Sequence, residues 1–147
     1  MVDIKSILSI VRIPLVILVT LTCLGILINF TDDFLIITIW WGFVLILCAL
    51  LSVWAGFNTA KNKFTSIESG IAGLIIWIIP GTIGLVIVGI TQFINALLWG
   101  NVEGYEFIAF IIGAVIIFIL LGIGSIITFL LGWFGSWLNR KITNNKK

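Results

Sequence analysis

The chain has 147 residues, of which 61% are hydrophobic and only 10% charged, with a mean hydropathy of +1.32. Soluble domains carry about 25% charged residues, and a chain this short buries too small a fraction of its surface to hide so much apolar material in one core. The composition therefore excludes an ordinary soluble domain, and a net charge of +2 is too small to mark a nucleic-acid surface.

Four stretches are free of charge: 13–31, 34–60, 69–102 and 107–139. A helix needs about 20 mostly apolar residues to cross roughly 30 Å of hydrocarbon. Each stretch suffices for one crossing, and none for two crossings with a turn between them. Inside a bilayer the backbone must satisfy its own hydrogen bonds, which favours helices. The alternating polarity of barrel strands is absent. The pattern predicts an all-α, polytopic integral membrane protein: one four-helix transmembrane bundle with spans at about 8–30, 34–57, 71–98 and 107–137. The last two are long enough that they must tilt, kink or project from the bilayer.

The first span reads as a retained helix, because its apolar core exceeds that of a signal peptide and no small-x-small cleavage site follows it. The connections then set the orientation. All eight basic residues (Lys5, Arg12, Lys61, Lys63, Arg140, Lys141, Lys146 and Lys147) fall on one side of such a bundle. The first and third loops carry Asp32, Asp33, Glu103 and Glu106 instead. Basic flanks stay cytoplasmic, so both termini and the middle loop are expected inside, an N-in/C-in arrangement in the cell membrane. Trp40, Trp41 and Trp99 near the outer border and Trp133 and Trp137 near the inner one agree with interfacial aromatic belts.

Small residues recur at helical spacing. Gly124, Thr128, Gly132 and Ser136 share one face of the fourth span, and Cys48, Ser52, Gly56 and Ala60 one face of the second. Lipid gives helices no hydrophobic reason to associate, so close approach through small side chains supplies the attraction. These faces fit packing within the bundle, a homo-oligomer, or contact with a partner membrane subunit. Pro80-Gly81 lies inside the third span, where a kink is expected. Gln92 and Asn95 share a face further along, with Asn29 at similar depth on the first span. Such amides bond between helices or line a polar path. Ile13-Pro14 and Ile79-Pro80, and Asn29 and Asn95, stand at a common offset, which is compatible with a tandem duplication of a hairpin.

Signs of chemistry are sparse. The chain has no histidine, and two cysteines do not make a tetrahedral zinc site. Cys23 and Cys48 lie at different depths, a poor geometry for a disulfide. No Asp, Glu, Lys, Arg or His sits mid-span, where proton relays and voltage sensors place theirs. The outer carboxylates lack the spacing of a calcium loop. Asn29-Phe30-Thr31 is a formal glycosylation sequon, but it hugs the membrane edge and is expected to be unused. No catalytic, cofactor-binding or metal-ligating set emerges, and neither enzyme activity nor a cofactor is expected.

The stretch WAGFNTAKNKFTSIESGIAGLIIWIIPGTIGL (54–85) resembles a pattern in small, glycine-rich, four-span archaeal membrane proteins grouped as a family of unknown function. There a glycine-rich helix end leads into a short polar cytoplasmic loop and then a Gly-x-x-Gly helix, here Gly70 to Gly73. The resemblance implies a fold and no activity. The expected role is a non-catalytic scaffold, assembly factor or accessory subunit whose immediate partner is the lipid bilayer. The alternative is a small oligomeric channel or transporter with a path past Pro80, Gly81, Gln92 and Asn95.

Overall fold

The computed structural model describes residues 4–28, 34–99 and 104–145; at 34, 88, 91–99, 104–111, 114 and 117 it describes the backbone alone. Four helices account for nearly all of this: α1 (Ile4–Ile28), α2 (Phe34–Lys61), α3 (Ser66–Trp99) and α4 (Gly104–Asn144). All four are long and apolar enough to cross a membrane. Much of their sequence is β-branched isoleucine and glycine, both mediocre helix formers in water. In hydrocarbon that preference is overridden, because a helix is the one way a single segment can pair all its own backbone groups.

Each helix continues past the charge-free stretch that announced it. α1 begins at Ile4 rather than 8, α2 runs to Lys61 rather than 57, α3 starts at Ser66 rather than 71, and α4 reaches Asn144 rather than 137. The apolar stretch measures what hydrocarbon tolerates. The backbone ladder instead continues through Lys5, Lys61 and Arg140 until a cap stops it. α3 remains helical across Pro80 and Gly81, and α1 across Pro14.

The helices run up, down, up and down, but they do not form a square. α2 and α3 pack on each other, and both pack on α1 and on α4, while α1 and α4 scarcely meet among the described residues. The cross-section is a rhombus whose short diagonal is α2–α3. Two equivalent tandem hairpins would make the α4–α1 contact match the α2–α3 contact, and it does not. The helices also differ in reach. Beyond the contact of Gly84 with Thr22, α1 is described as far as Ile28 and α3 as far as Trp99. At about 1.5 Å per residue the described part of α3 reaches roughly 13 Å further than that of α1 at that end.

The interior is small and partly polar, and the exterior is apolar. Ile7, Val11, Leu18, Cys48, Ala55, Ala72 and Ile76 form the buried apolar cluster. Ser52, Thr59, Ser69 and Ser136 are fully buried beside it, while Phe118 is 76% exposed, Ile13 69% and Leu35 68%. Most of the buried hydroxyls donate to their own helix one turn back: Ser52 to the Cys48 carbonyl (2.8 Å), Ser69 to that of Thr65 (3.0 Å), and Thr59 to that of Ala55. A surface of this kind would drive aggregation in water. Cys23 and Cys48 are free thiols.

The α2–α3 connection is the best specified turn. Lys63 takes a left-handed conformation (φ 66°), its N–H donates to the Ala60 carbonyl (3.0 Å), and the Phe64 N–H donates to that of Thr59 (3.3 Å). This is a Schellman C-cap, and Phe64 packs against the buried cluster. Thr65 then opens α3 with a capping box. Its N–H donates to the Glu68 carboxylate (2.8 Å), and the Glu68 N–H donates back to its hydroxyl (3.3 Å). Replacing Thr65 by alanine is expected to cost about 1 kcal/mol. Lys63→Gly should gain several tenths of a kcal/mol by relieving the left-handed backbone. Thermal unfolding in detergent should therefore show the two midpoints moving in opposite directions.

Candidate functional site

The most distinctive assembly of residues is the seam where α4 lies in the groove between α2 and α3. Four glycines face backbone there, not side chains. A Cβ on Gly56 would run into the Gly132 carbonyl, one on Gly73 into the Thr128 carbonyl, one on Gly132 into the Ser69 carbonyl, and one on Gly135 into the Val53 carbonyl. Gly132 is the hub, with α2 against it on one side and α3 on the other. Glycine Cα–H groups thus face carbonyl oxygens across both helix pairs, the arrangement of weak Cα–H···O contacts. Backbones this close also gain dense van der Waals packing, which replaces the hydrophobic drive that lipid removes.

A second set of glycines seats large side chains. A Cβ on Gly70 would lie 2.6 Å from the Phe129 ring, and one on Gly25 would lie 2.6 Å from the Trp40 indole. Trp77 covers Gly124, and its indole N–H donates to the Leu121 carbonyl (3.0 Å), which also accepts from the Ser125 hydroxyl (2.7 Å). Trp77 therefore bolts α3 to α4 at mid-height. Nearer the basic end, Asn139 on α4 donates its Nδ2–H to the Phe57 carbonyl of α2 (2.9 Å) and accepts from Thr143 (3.2 Å). Beside it the buried Ser136 hydroxyl has no hydrogen-bond partner among the described residues.

Of the residues singled out from sequence spacing, Gly56, Ser52, Thr128, Gly132 and Ser136 are buried, and Gly124 is half-buried under Trp77. Gly56 and Gly132 meet directly. Thr128 donates to the Gly124 carbonyl (2.8 Å). Pro80 is buried, and a Cβ on the neighbouring Gly81 would press on Leu121 of α4. Gln92 and Asn95 lie on the last turns of α3, and their side chains are outside the described residues, as are Asn29, Asp32, Asp33 and Glu103 and the side chains of Trp99 and Glu106. Three contributors escaped the spacing argument. Gly135 lies three residues from Gly132, off the four-residue stripe. Trp77 resembles any apolar span residue, and Asn139 resembles a boundary residue. The Gly132-x-x-Gly135 pair was the available signal for the first.

A shallow apolar cleft of about 130 Å³ lies over the seam between Cys48, Trp77, Gly124 and Thr128. A wider groove of about 400 Å³ lies between α1 and α2, lined by Ile13, Pro14, Ile17, Leu50, Leu51 and Trp54. Among the described residues no three His, Cys, Asp or Glu side chains gather as metal ligands. At the basic end of α4, Trp137 stacks on Phe134 (5.6 Å between centroids) and the Lys141 ammonium lies 5.0 Å from the Trp137 ring. An aromatic body with a cationic tip suits a bilayer interface.

Gly132→Val is expected to cost roughly 3 kcal/mol, the upper range for overpacking, and to lose the monodisperse folded species on size exclusion. Gly122→Ala, at a position where a Cβ meets nothing within 4 Å, should leave it intact. At the basic end, Ser136→Ala removes a buried hydroxyl that has no partner among the described residues, and should hold or raise the unfolding midpoint. Asn139→Leu breaks the tie to Phe57 and should lower the midpoint, through a stability loss of about 0.6–1.7 kcal/mol.

No known protein family, no curated protein and no solved structure matches the chain.

Proposed function

We propose that the chain is a multi-pass protein of the cell membrane, with both ends and the α2–α3 turn in the cytoplasm, acting as a non-catalytic scaffold, assembly factor or accessory subunit. The observation that carries this reading is the glycine-to-carbonyl seam of α2, α3 and α4 beneath an almost wholly apolar coat. Its interior is used for holding helices together. The coat offers a lipid bilayer, a second copy or a partner membrane subunit a surface to pack against. The membrane-resident four-span family that residues 54–85 resemble belongs to the same proposal.

The basic residues support the orientation. Lys5, Lys61, Lys63, Arg140 and Lys141 gather at the end of the bundle that holds the α2–α3 turn and the end of α4, and such clusters stay on the cytoplasmic side. With Cys23 and Cys48 replaced by alanine, single cysteines at positions 33 and 63 should react with an impermeant maleimide from opposite faces of sealed vesicles. Labelling of both from one face would overturn the orientation.

The rival role is an oligomeric channel with a path past Pro80, Gly81, Gln92 and Asn95. Within one chain, buried Pro80 and the Leu121 side chain beside Gly81 fill that path at its middle, which supports the scaffold reading. Liposomes carrying the protein are expected to hold an ion gradient as tightly as empty ones. A leak that Asn95→Leu abolishes would replace the scaffold with the channel.

A further inference from the structure

We propose that the groove between α1 and α2 is a binding site for one hydrocarbon chain of an anionic phospholipid, whose phosphate is held by Lys61 and whose glycerol or phosphate oxygen accepts from Trp54. The inference rests on the membrane reading above and is independent of the scaffold role. The groove is lined by Ile13, Pro14, Ile17, Leu50, Leu51 and Trp54, and its volume of about 400 Å³ is open along one side. Every lining group is apolar except the Trp54 indole N–H. Pro14 is buried at its floor, while Ile13 and Ile17 on one wall and Leu50 on the other are 42–69% exposed. These walls are therefore unpartnered within the chain.

The polar groups near the groove lie where a lipid would need them. Leu50, Trp54 and Lys61 fall on one face of α2, at steps of four and seven residues. Lys61, in the last turn of α2, is exposed. It stands roughly 10 Å beyond Trp54 along the helix axis, on the side of the bundle that is basic. Trp54 is 43% exposed at the rim, and among the described residues nothing accepts its indole N–H. Trp77, by contrast, is committed to Leu121. An indole donor inside the apolar zone and an ammonium one and a half to two turns further out match the order of a phospholipid: hydrocarbon chain, glycerol or phosphate oxygen, then phosphate anion. A hydrophobic helix from another subunit would fill the groove but leave both donors unanswered. A zwitterionic lipid would place its own cation beside Lys61.

Native mass spectrometry of the full chain, equilibrated with equal amounts of dioleoyl phosphatidylglycerol and dioleoyl phosphatidylcholine, tests the site. The wild type should retain one phosphatidylglycerol in preference to phosphatidylcholine. Lys61→Gln should reduce that preference about fivefold, as expected for one lysine at an anionic membrane surface. Lys63→Gln, in the turn beyond the groove face, should leave it nearly unchanged. Ile17→Trp, which fills the groove, should lower retention of both lipids; Ile13→Trp serves if that variant loses its helical circular dichroism. A wild type without preference, equal effects of Lys61→Gln and Lys63→Gln, or undiminished retention in both groove-filling variants would overturn the site. Photolabelling the wild type with a diazirine-chain phosphatidylglycerol is an independent arm. Label concentrated on Ile13, Ile17, Leu50 and Trp54 supports the groove, and label spread evenly over the exposed face of α4 sinks it. Failure of the membrane reading would register separately, as a chain that does not float with vesicles of either lipid.

Discussion

Where Gly132 passes Gly56 and Ser69, three helix backbones come into contact with no side chain between them. The remaining features follow from that approach. Once α4 is drawn into the α2–α3 groove at one level, the faces above and below are fixed in rotation. Gly124 then lies under Trp77, and Asn139 lies within reach of the Phe57 carbonyl. A methyl group at Gly132 would run into Ser69 and Gly73 of α3, and one at Gly56 of α2 would run into Gly132 itself. Few positions in the chain are so constrained. Among the described residues nothing stands within 4 Å of where a Cβ would go on Gly42, Gly89, Gly113 or Gly122.

The seam also accounts for the uneven shape of the bundle. Three helices share the small-residue contacts, and α1 is joined by a different kind of packing, through Ile7, Val11, Pro14 and Leu18 and the Gly84–Thr22 contact. That leaves α1 and α4 on opposite corners. The capped turn between α2 and α3 fits this picture. The two central helices are joined by four residues whose backbone groups are tied by the Schellman and capping-box bonds, so the diagonal on which the other two helices rest has a rigid hinge end.

How much of this was legible beforehand depends on what each signal measures. Charge-free length reports the hydrocarbon a helix tolerates, so the existence and number of helices could be read directly. The same measure is blind to helix ends, because lysine and arginine are good helix residues. Thr65-x-x-Glu68 was the overlooked sign that α3 starts before 71. Four-residue spacing of small residues identifies a face, as with Gly124, Thr128, Gly132 and Ser136, but not the helix that face meets. Periodicity is a property of one segment, whereas pairing is a property of two. Hence the contact of Gly132 with both α2 and α3, and the α2–α3 diagonal itself, needed three dimensions. Trp77 and Asn139 were opaque for a related reason: their partners are backbone carbonyls, which every residue offers alike.

One asymmetry has a mechanical consequence. Past the Gly84–Thr22 contact the described part of α3 outreaches that of α1 by more than two helical turns, and its sequence there stays largely apolar. A bilayer of uniform thickness does not match both flanks. Lipid must stretch along the tall side and relax along the short one, or the whole bundle must lean, and each ångström of misfit carries an elastic cost. In a bilayer a molecule of this shape would be a wedge, with the misfit falling on the lipid beside its tall flank.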